Sequence, residues 1–397
     1  MSPLFLFPPA GRPVLTLILL LPIPWLVAFG KGGEALPRTA LNGSLALLVL
    51  MVAVSLYATF DIFFSASKVL GVVFGVAVFF ALVRQIRTSG HLRLAIDLFV
   101  LAGSALAAVG LLGTNWINKF PEVASITARL PAVIRGVPGQ AEGFQPNAIA
   151  GALVMFLPLQ LALAITAFRS ESPRWRRFAY ALLFFFTGGT FLLTQSRGGY
   201  VSIAAAFAAW AIWSGPRSRA IALTLILIGG AAAIPLRYRV VSALSHSVGS
   251  GVASDVQSRV ELWSRAILVI QDFPLTGAGM NTFRRIMPVM YPAFLTPPDI
   301  DVAHAHNHLL QAAVDLGVPG LIAYLALWFG AVALLVRAFR KAAGASQRLI
   351  IGGMAAGMVA YFVFGTADAI ALGAKVGIFF WIALGLIVSI GEKEQTA

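Results

Sequence analysis

Apolar and polar positions in this chain separate into long blocks instead of alternating. Apolar runs cover Val14 to Gly30, Leu45 to Phe60, Val69 to Val83, Leu94 to Gly113, Ala148 to Phe168, Phe178 to Leu193, Tyr200 to Trp213 and Ala220 to Pro235. Three more follow a long polar stretch: Gly320 to Val336, Ile350 to Thr366 and Val376 to Ile390. Each is close to the length an α-helix needs to cross a hydrocarbon core ~30 Å thick, which gives about eleven candidate spans. Pro22 and Pro24 interrupt the first run, as neighbouring helices in a membrane allow. Two polar segments stand out, Thr114 to Asn147 and Leu236 to His306. Within the second, Val256, Val260, Trp263 and Ile267 recur at helical spacing, which predicts an amphipathic helix over Asp255 to Ile270 lying on a membrane surface.

Composition agrees. The chain is 59% hydrophobic and 11% charged, against about 25% charged in soluble domains, and its mean hydropathy is +0.88. The fold class expected is an all-α polytopic membrane protein. It has no cysteine, which excludes disulfide and thiolate chemistry. The net charge of +14 reads as basic loops against anionic lipid rather than as a nucleic-acid surface. No small-residue cleavage site follows Val14 to Gly30, so that run reads as a span and not as a cleavable leader.

Charge sets sidedness. Arg84, Arg87 and Arg93 share one loop, Arg169, Arg174, Arg176 and Arg177 a second, Arg217 and Arg219 a third, and Arg337, Arg340, Lys341 and Arg348 a fourth. These fall on every second loop, so the positive-inside rule makes all four cytoplasmic. The outer face then receives residues 114–147, the turn Thr194 to Gly199, the long loop and Ala367 to Lys375. This divides the chain into N-terminal spans (1–113), central spans with outer loops (114–235), a large outer loop (236–319) and C-terminal spans (320–397).

The outer loops are unusually rich in arginine: Arg129, Arg135, Arg197, Arg237, Arg239, Arg259, Arg265, Arg284 and Arg285. The arginine fork suits phosphate oxygens and stays charged at any working pH, so this face is expected to receive an anionic ligand. Arg197 sits in a polar turn with Gly198 and Gly199, which let backbone approach a ligand. Arg259 lies on the surface helix. Arg265 is also there, with Glu261 one turn away as a structural partner. Three of the five histidines fall at His304, His306 and His308, just before a span, where a group titrating near pH 6.5 can act as a base. The alternative is a metal site made by the three histidines on one strand face, with Asp299 and Asp301 nearby.

His306-Asn307, nine residues and then Gly317-Val318-Pro319-Gly320 resembles the signature of the O-antigen ligase family. Gln145-Pro146-Asn147, Ser196-Arg197-Gly198-Gly199, Arg259-Val260-Glu261-Leu262-Trp263 and Pro274-Leu275-Thr276-Gly277-Ala278-Gly279 follow the order of the shared core of the O-antigen ligase and polymerase superfamily. The resemblance implies a GT-C-like glycosyltransferase of about twelve spans in the bacterial inner membrane, with a periplasmic active site. It implies an inverting transfer, without metal ion or other cofactor, of a glycan from undecaprenyl pyrophosphate to a hydroxyl of lipid A-core. Under it His306 is the general base, and Arg197 and Arg259 neutralise the pyrophosphate. Arg265, Arg135, Asn147, Asn307 and Gln311 are candidate substrate contacts. Gly317 and Gly320 are structural, permitting a break where a surface helix bends into a span.

Three other functions compete: a polymerase of the same superfamily, a protein O-oligosaccharyltransferase, and a transporter. A transporter would place paired ionisable residues at mid-membrane. Here the spans are nearly free of charge.

Overall fold

A computed structural model describes residues 36–116, 121–130, 133–135, 143–170, 172–224, 227, 251–295 and 301–396. The described chain is helical, apart from an isolated bridge between Thr114 and Phe144. In order the helices are α1 (Asn42–Ala58), α2 (Ile62–Gln85), α3 (Ser89–Gly113), α4 (Pro121–Thr127), α5 (Pro146–Leu153), α6 (Phe156–Arg169), α7 (Arg174–Leu193), α8 (Arg197–Ser214), α9 (Gly251–Asp272), α10 (Phe283–Met290), α11 (His308–Lys341), α12 (Ala345–Ala367) and α13 (Ile378–Thr396). A 3-10 turn, Lys375–Gly377, leads into α13.

Every expected apolar run with described residues is helical. Four helices, α2, α3, α11 and α12, are long and apolar enough to cross a membrane, and the pair α5 and α6, bent by 42°, adds a fifth. This is fewer than the eleven or so expected. Helix α1 and the segment Lys375–Gly391 are apolar but shorter, α7 opens on three arginines, and Val14 to Gly30 and most of Ala220 to Pro235 lie outside the described residues.

Helix α12 is the centre of the bundle and packs on α6, α8 and α11; α1 lies on α11, and α13 on α2. Small residues permit this closeness, as is usual between membrane helices. A Cβ at Gly357 of α12 would lie 2.2 Å from the Met155 carbonyl at the α5–α6 bend. One polar pin crosses the bundle, where buried Gln160 donates to the Val100 carbonyl and to the hydroxyls of Ser104 and Thr187.

The helices alternate in direction, so their ends sort into two faces. The starts of α3, α7 and α12 share one end with the arginine loops. The starts of α5, α8 and α11 share the other with the end of α12 and the histidines.

At the histidine end, α9 forms as expected, but with a different face packed inward. Leu262, Ala266 and Val269 are buried against Phe283, Met287 and Tyr291. Val260 and Ile267, from the expected stripe, are exposed. The helix therefore carries apolar residues on both sides, one towards protein and one outward. Further on, α11 is broken at Gly317, whose φ of 70° no residue with a side chain adopts readily. Gly277, at φ 65°, faces it. A Cβ on Gly277 would lie 2.6 Å from the Gly317 nitrogen, and one on Gly317 would lie 2.9 Å from the Gly277 nitrogen. Backbone bonds from Ala278 to the Val314 carbonyl (2.8 Å) and from Val318 to the Pro274 carbonyl (2.7 Å) complete the joint. The loop after α9 is thus locked to the helix that begins at His308.

Candidate active site

The site is built where four helix ends meet. Asn307 caps α11: its Oδ1 accepts from the backbone of Leu309 (3.0 Å) and Leu310 (3.1 Å), and its Nδ2 donates to the Thr366 carbonyl (3.2 Å) at the end of α12. This ties the start of α11 to the end of α12 and spends most of the Asn307 amide on structure. Gln311, expected as a substrate contact, is buried. It accepts from the Ala305 backbone (2.8 Å) and donates to Asp315 (2.9 Å), which also accepts from the Asn281 backbone (3.3 Å). Its position behind the histidine loop makes it a brace for that loop.

His306 itself has φ 48°, in the left-handed region, where a non-glycine residue is strained and needs surroundings that fix it. Its Nδ1 lies 3.0 Å from Oδ1 of Asp368, the residue that ends α12. The imidazole side chain is 33% exposed and the carboxylate 16%, so the ring is reachable while its partner is sheltered. With the carboxylate accepting, the proton sits on Nδ1 and Nε2 is left as a free base. Burial alone would raise the Asp368 pKa. The hydrogen bond to His306 and the charges of His306, His304 and Arg259 outweigh it and hold the carboxyl below the usual carboxylate range.

The three histidines do not share a role. His304 is 4.5 Å from His306 between ring centroids, but its Nδ1 accepts from the His306 backbone (3.2 Å). Burial, helped by the neighbouring His306, pushes its pKa down to about 4, so it is neutral near pH 7. His308 turns the other way. It is buried, bonded to the Tyr324 hydroxyl (2.9 Å) and enclosed by Trp328 and Phe362. A chelate of all three histidines is therefore ruled out by geometry. A different trio does converge: ligand atoms of His304, His306 and Asp368 lie within 4.8 Å of one another. Of the nitrogens and oxygens of this trio, His304 Nδ1, His306 Nδ1 and Asp368 Oδ1 are engaged in hydrogen bonds.

The cations at the histidine end fall into two groups. Arg284 is paired with Asp301, Arg265 lies 3.6 Å from Glu261 and over the Phe294 ring, and Arg285 lies over Phe64. Arg265 is thus held by the partner that its spacing suggested. Arg197 and Arg259 are half-buried and make no ion pair among the described residues. Arg259 nevertheless acts electrostatically on Asp368. Arg197 opens α8 from a buried turn, in which Gln195 has φ 51° and the Ser196 hydroxyl accepts from Gly199 (3.2 Å). Gly198 faces Phe364 of α12, one turn before Asp368, and Gly199 packs on Ala150 of α5. So Arg197, the α5 start that carries Asn147, and the Asp368 end of α12 occupy one layer. Asn147 is half-buried there. Arg135 is exposed, as is Arg129, and neither is brought to the histidines by any described contact. Arg237, Arg239 and Asp299 lie outside the described residues.

Three residues here escape motif reasoning. Asp368 follows a span and is the rare acid beside a histidine. Asp315 is an acid inside an apolar helix. Lys68 is a lone cation in the first half of α2, one turn beyond Phe64, whose carbonyl accepts from Asn281 (3.1 Å). Its own carbonyl lies against Gly373 in the loop after Asp368. Lys68 makes no ion pair among the described residues, and its charge is felt at His304 and Asp315. The signal available in sequence was the cost of ionisable groups in apolar helices, which makes each a functional candidate.

Below the cluster, Trp328 and Phe362 also line an apolar groove of about 440 Å³ between α8, α11 and α12. No curated protein matches the chain. A family model described as O-antigen ligase matches residues 181–325, which take in Arg197, Arg259, the Gly277–Gly317 joint and all three histidines of the site. Over residues 181–325 this polytopic membrane protein is thus similar to the O-antigen ligase family, whose members are glycan-transferring enzymes.

Proposed function

We propose that the chain is an O-antigen ligase, transferring a glycan from undecaprenyl pyrophosphate to a sugar hydroxyl of lipid A-core at the periplasmic face of the bacterial inner membrane. The observation that carries this reading is the His306–Asp368 pair, together with Arg197 and Arg259, which make no ion pair among the described residues. Unpaired half-buried charge is costly unless a ligand completes it, and a pyrophosphate has the charge to do so. The apolar groove beside His308 suits the polyprenyl chain of such a donor.

In this mechanism Nε2 of His306 takes the proton from the acceptor hydroxyl. That oxygen bonds to the anomeric carbon from the face opposite the leaving group. The bond from that carbon to the phosphate oxygen breaks, and configuration inverts in one displacement. Asp368 holds the ring and stabilises the imidazolium that forms. Arg197 and Arg259 stabilise the charge gathering on the departing pyrophosphate, a contribution typically of about 10²- to 10³-fold per contact. Asn147 and Arg265 stand at the edge of the site as candidate sugar contacts.

The test is lipopolysaccharide banding in a ligase-deficient strain supplied with the matching O-antigen and core. Wild type is expected to restore the capped ladder, and His306→Ala to leave lipid-linked glycan accumulating. If wild type instead extends single capped repeats into long chains in a polymerase-deficient strain, the enzyme is a polymerase. If the protein reaches the membrane and alters neither phenotype, the transferase reading fails.

A further inference from the structure

At the arginine end of the bundle, opposite His306, the starts of α3, α7 and α12 and the ends of α6 and α13 leave a cavity of about 810 Å³. Nothing in the transfer chemistry uses it. Its floor is apolar, made by Ile96, Leu163, Ile351 and Ile390, all buried. Its mouth is polar, with Arg93, Arg176, Ser89, Ser170 and Ser172. Between them lies Thr166, whose hydroxyl oxygen is buried without a hydrogen-bond partner among the described residues. The acid of the lining, Asp97, is occupied: it accepts from Arg176 (3.2 Å) and from the Tyr180 hydroxyl (2.6 Å). Arg93 makes no ion pair among the described residues, and Arg169 at the end of α6, Arg174 and Arg177 at the start of α7 and Arg348 at the start of α12 stand at the adjoining helix ends.

We propose that this cavity is a binding site for an anionic phospholipid. The headgroup phosphate sits at Arg93 and Arg176, the glycerol ester oxygens meet Thr166, and an acyl chain lies along the isoleucine and leucine floor. Charge argues for the anion: a basic pocket between spans at the arginine-rich, cytoplasm-facing end is where acidic lipid headgroups dock. The floor argues for a lipid over a free phosphate, which would leave it empty. The orphan hydroxyl argues for a ligand with oxygens below the headgroup, since a buried hydroxyl without a partner is uncommon and costs stability.

The experiment uses the purified full chain in a neutral detergent. Native mass spectrometry and thermal unfolding are read with phosphatidylglycerol, phosphatidylethanolamine and glycerol 3-phosphate. Phosphatidylglycerol is expected to bind and raise the melting temperature, and the other two are not. Each arginine near an anionic headgroup contributes about fivefold to binding. Arg93→Gln should therefore weaken phosphatidylglycerol about fivefold and Arg93→Glu more than tenfold. Thr166→Val, nearly isosteric, should weaken it without changing the fold. Equal binding of phosphatidylethanolamine, an equal shift from glycerol 3-phosphate, or unchanged affinity in both Arg93→Glu and Thr166→Val would overturn the proposal.

Discussion

His306 is oriented by Asp368, sixty-two residues further along the chain, through a 3.0 Å contact between Nδ1 and Oδ1. The pair joins the start of one membrane helix to the end of the next. It also fixes which ring nitrogen is free.

His306→Ala should therefore lose about 10²- to 10⁴-fold in transfer rate, the usual worth of a positioned base. Asp368→Asn should lose less, on the order of 10²-fold, because the base remains while its tautomer and charge support do not. In-vitro transfer with purified lipid-linked donor separates the two. Equal activity of wild type and Asp368→Asn would remove the carboxylate from the mechanism.

Lys68 should report on the donor. Its ammonium lies in the field of His304 and Asp315 without an ion pair among the described residues. If it faces the pyrophosphate, Lys68→Gln raises the donor KM by roughly ten- to a hundredfold, as loss of a charged hydrogen bond would, while Lys68→Arg restores much of it. An unchanged donor KM in Lys68→Gln would confine Lys68 to structure.

Acid should destabilise the loop before it touches the carboxylates. His304 has its pKa lowered from 6.5 to about 4 by burial, so the unfolded chain binds its proton first. Stability is then fully present above pH 6.5 and falls as pH drops towards 4, by a few kcal/mol at most. Asp368, also depressed, adds a separate loss below pH 3.8. In thermal unfolding between pH 7 and 4, wild type should lose stability relative to His304→Gln as pH falls. A constant gap would contradict this.

Gly317→Ala should cost about 2 kcal/mol or more, since its Cβ would enter the Leu275 carbonyl at 2.7 Å at a positive φ. The readout is a lower melting temperature in detergent. Asn307→Ala should cost about 1 kcal/mol as a lost helix cap and leave the donor KM unchanged. A KM effect with no loss of stability would return Asn307 to the sugar.

Much of this arrangement can be read from sequence, for particular reasons. The spans are legible because lipid demands continuous apolar helices. The break at Gly317 is legible because two glycines and a proline follow a polar start. Arg197 and Arg259 are legible because charge at a membrane interface is conspicuous. The separate duties of His304, His306 and His308 are not, since they follow from a turn of backbone at His306 and the start of a helix at His308. Nor are Asp368 and Lys68, which reach the site only through the packing of α12 and α2. The side of α9 that faces inward is likewise set by its partners, because both of its sides are apolar.

Asp368 has one more consequence, in the timing of synthesis. The chain is made from its N-terminus, so the histidine loop and its arginines leave the ribosome well before the carboxylate that orients the base. A nascent chain holding every motif of the family domain still lacks its orienting acid until α12 has entered the membrane. Activity under this mechanism is therefore a property of the finished bundle, and a half-inserted chain cannot consume donor.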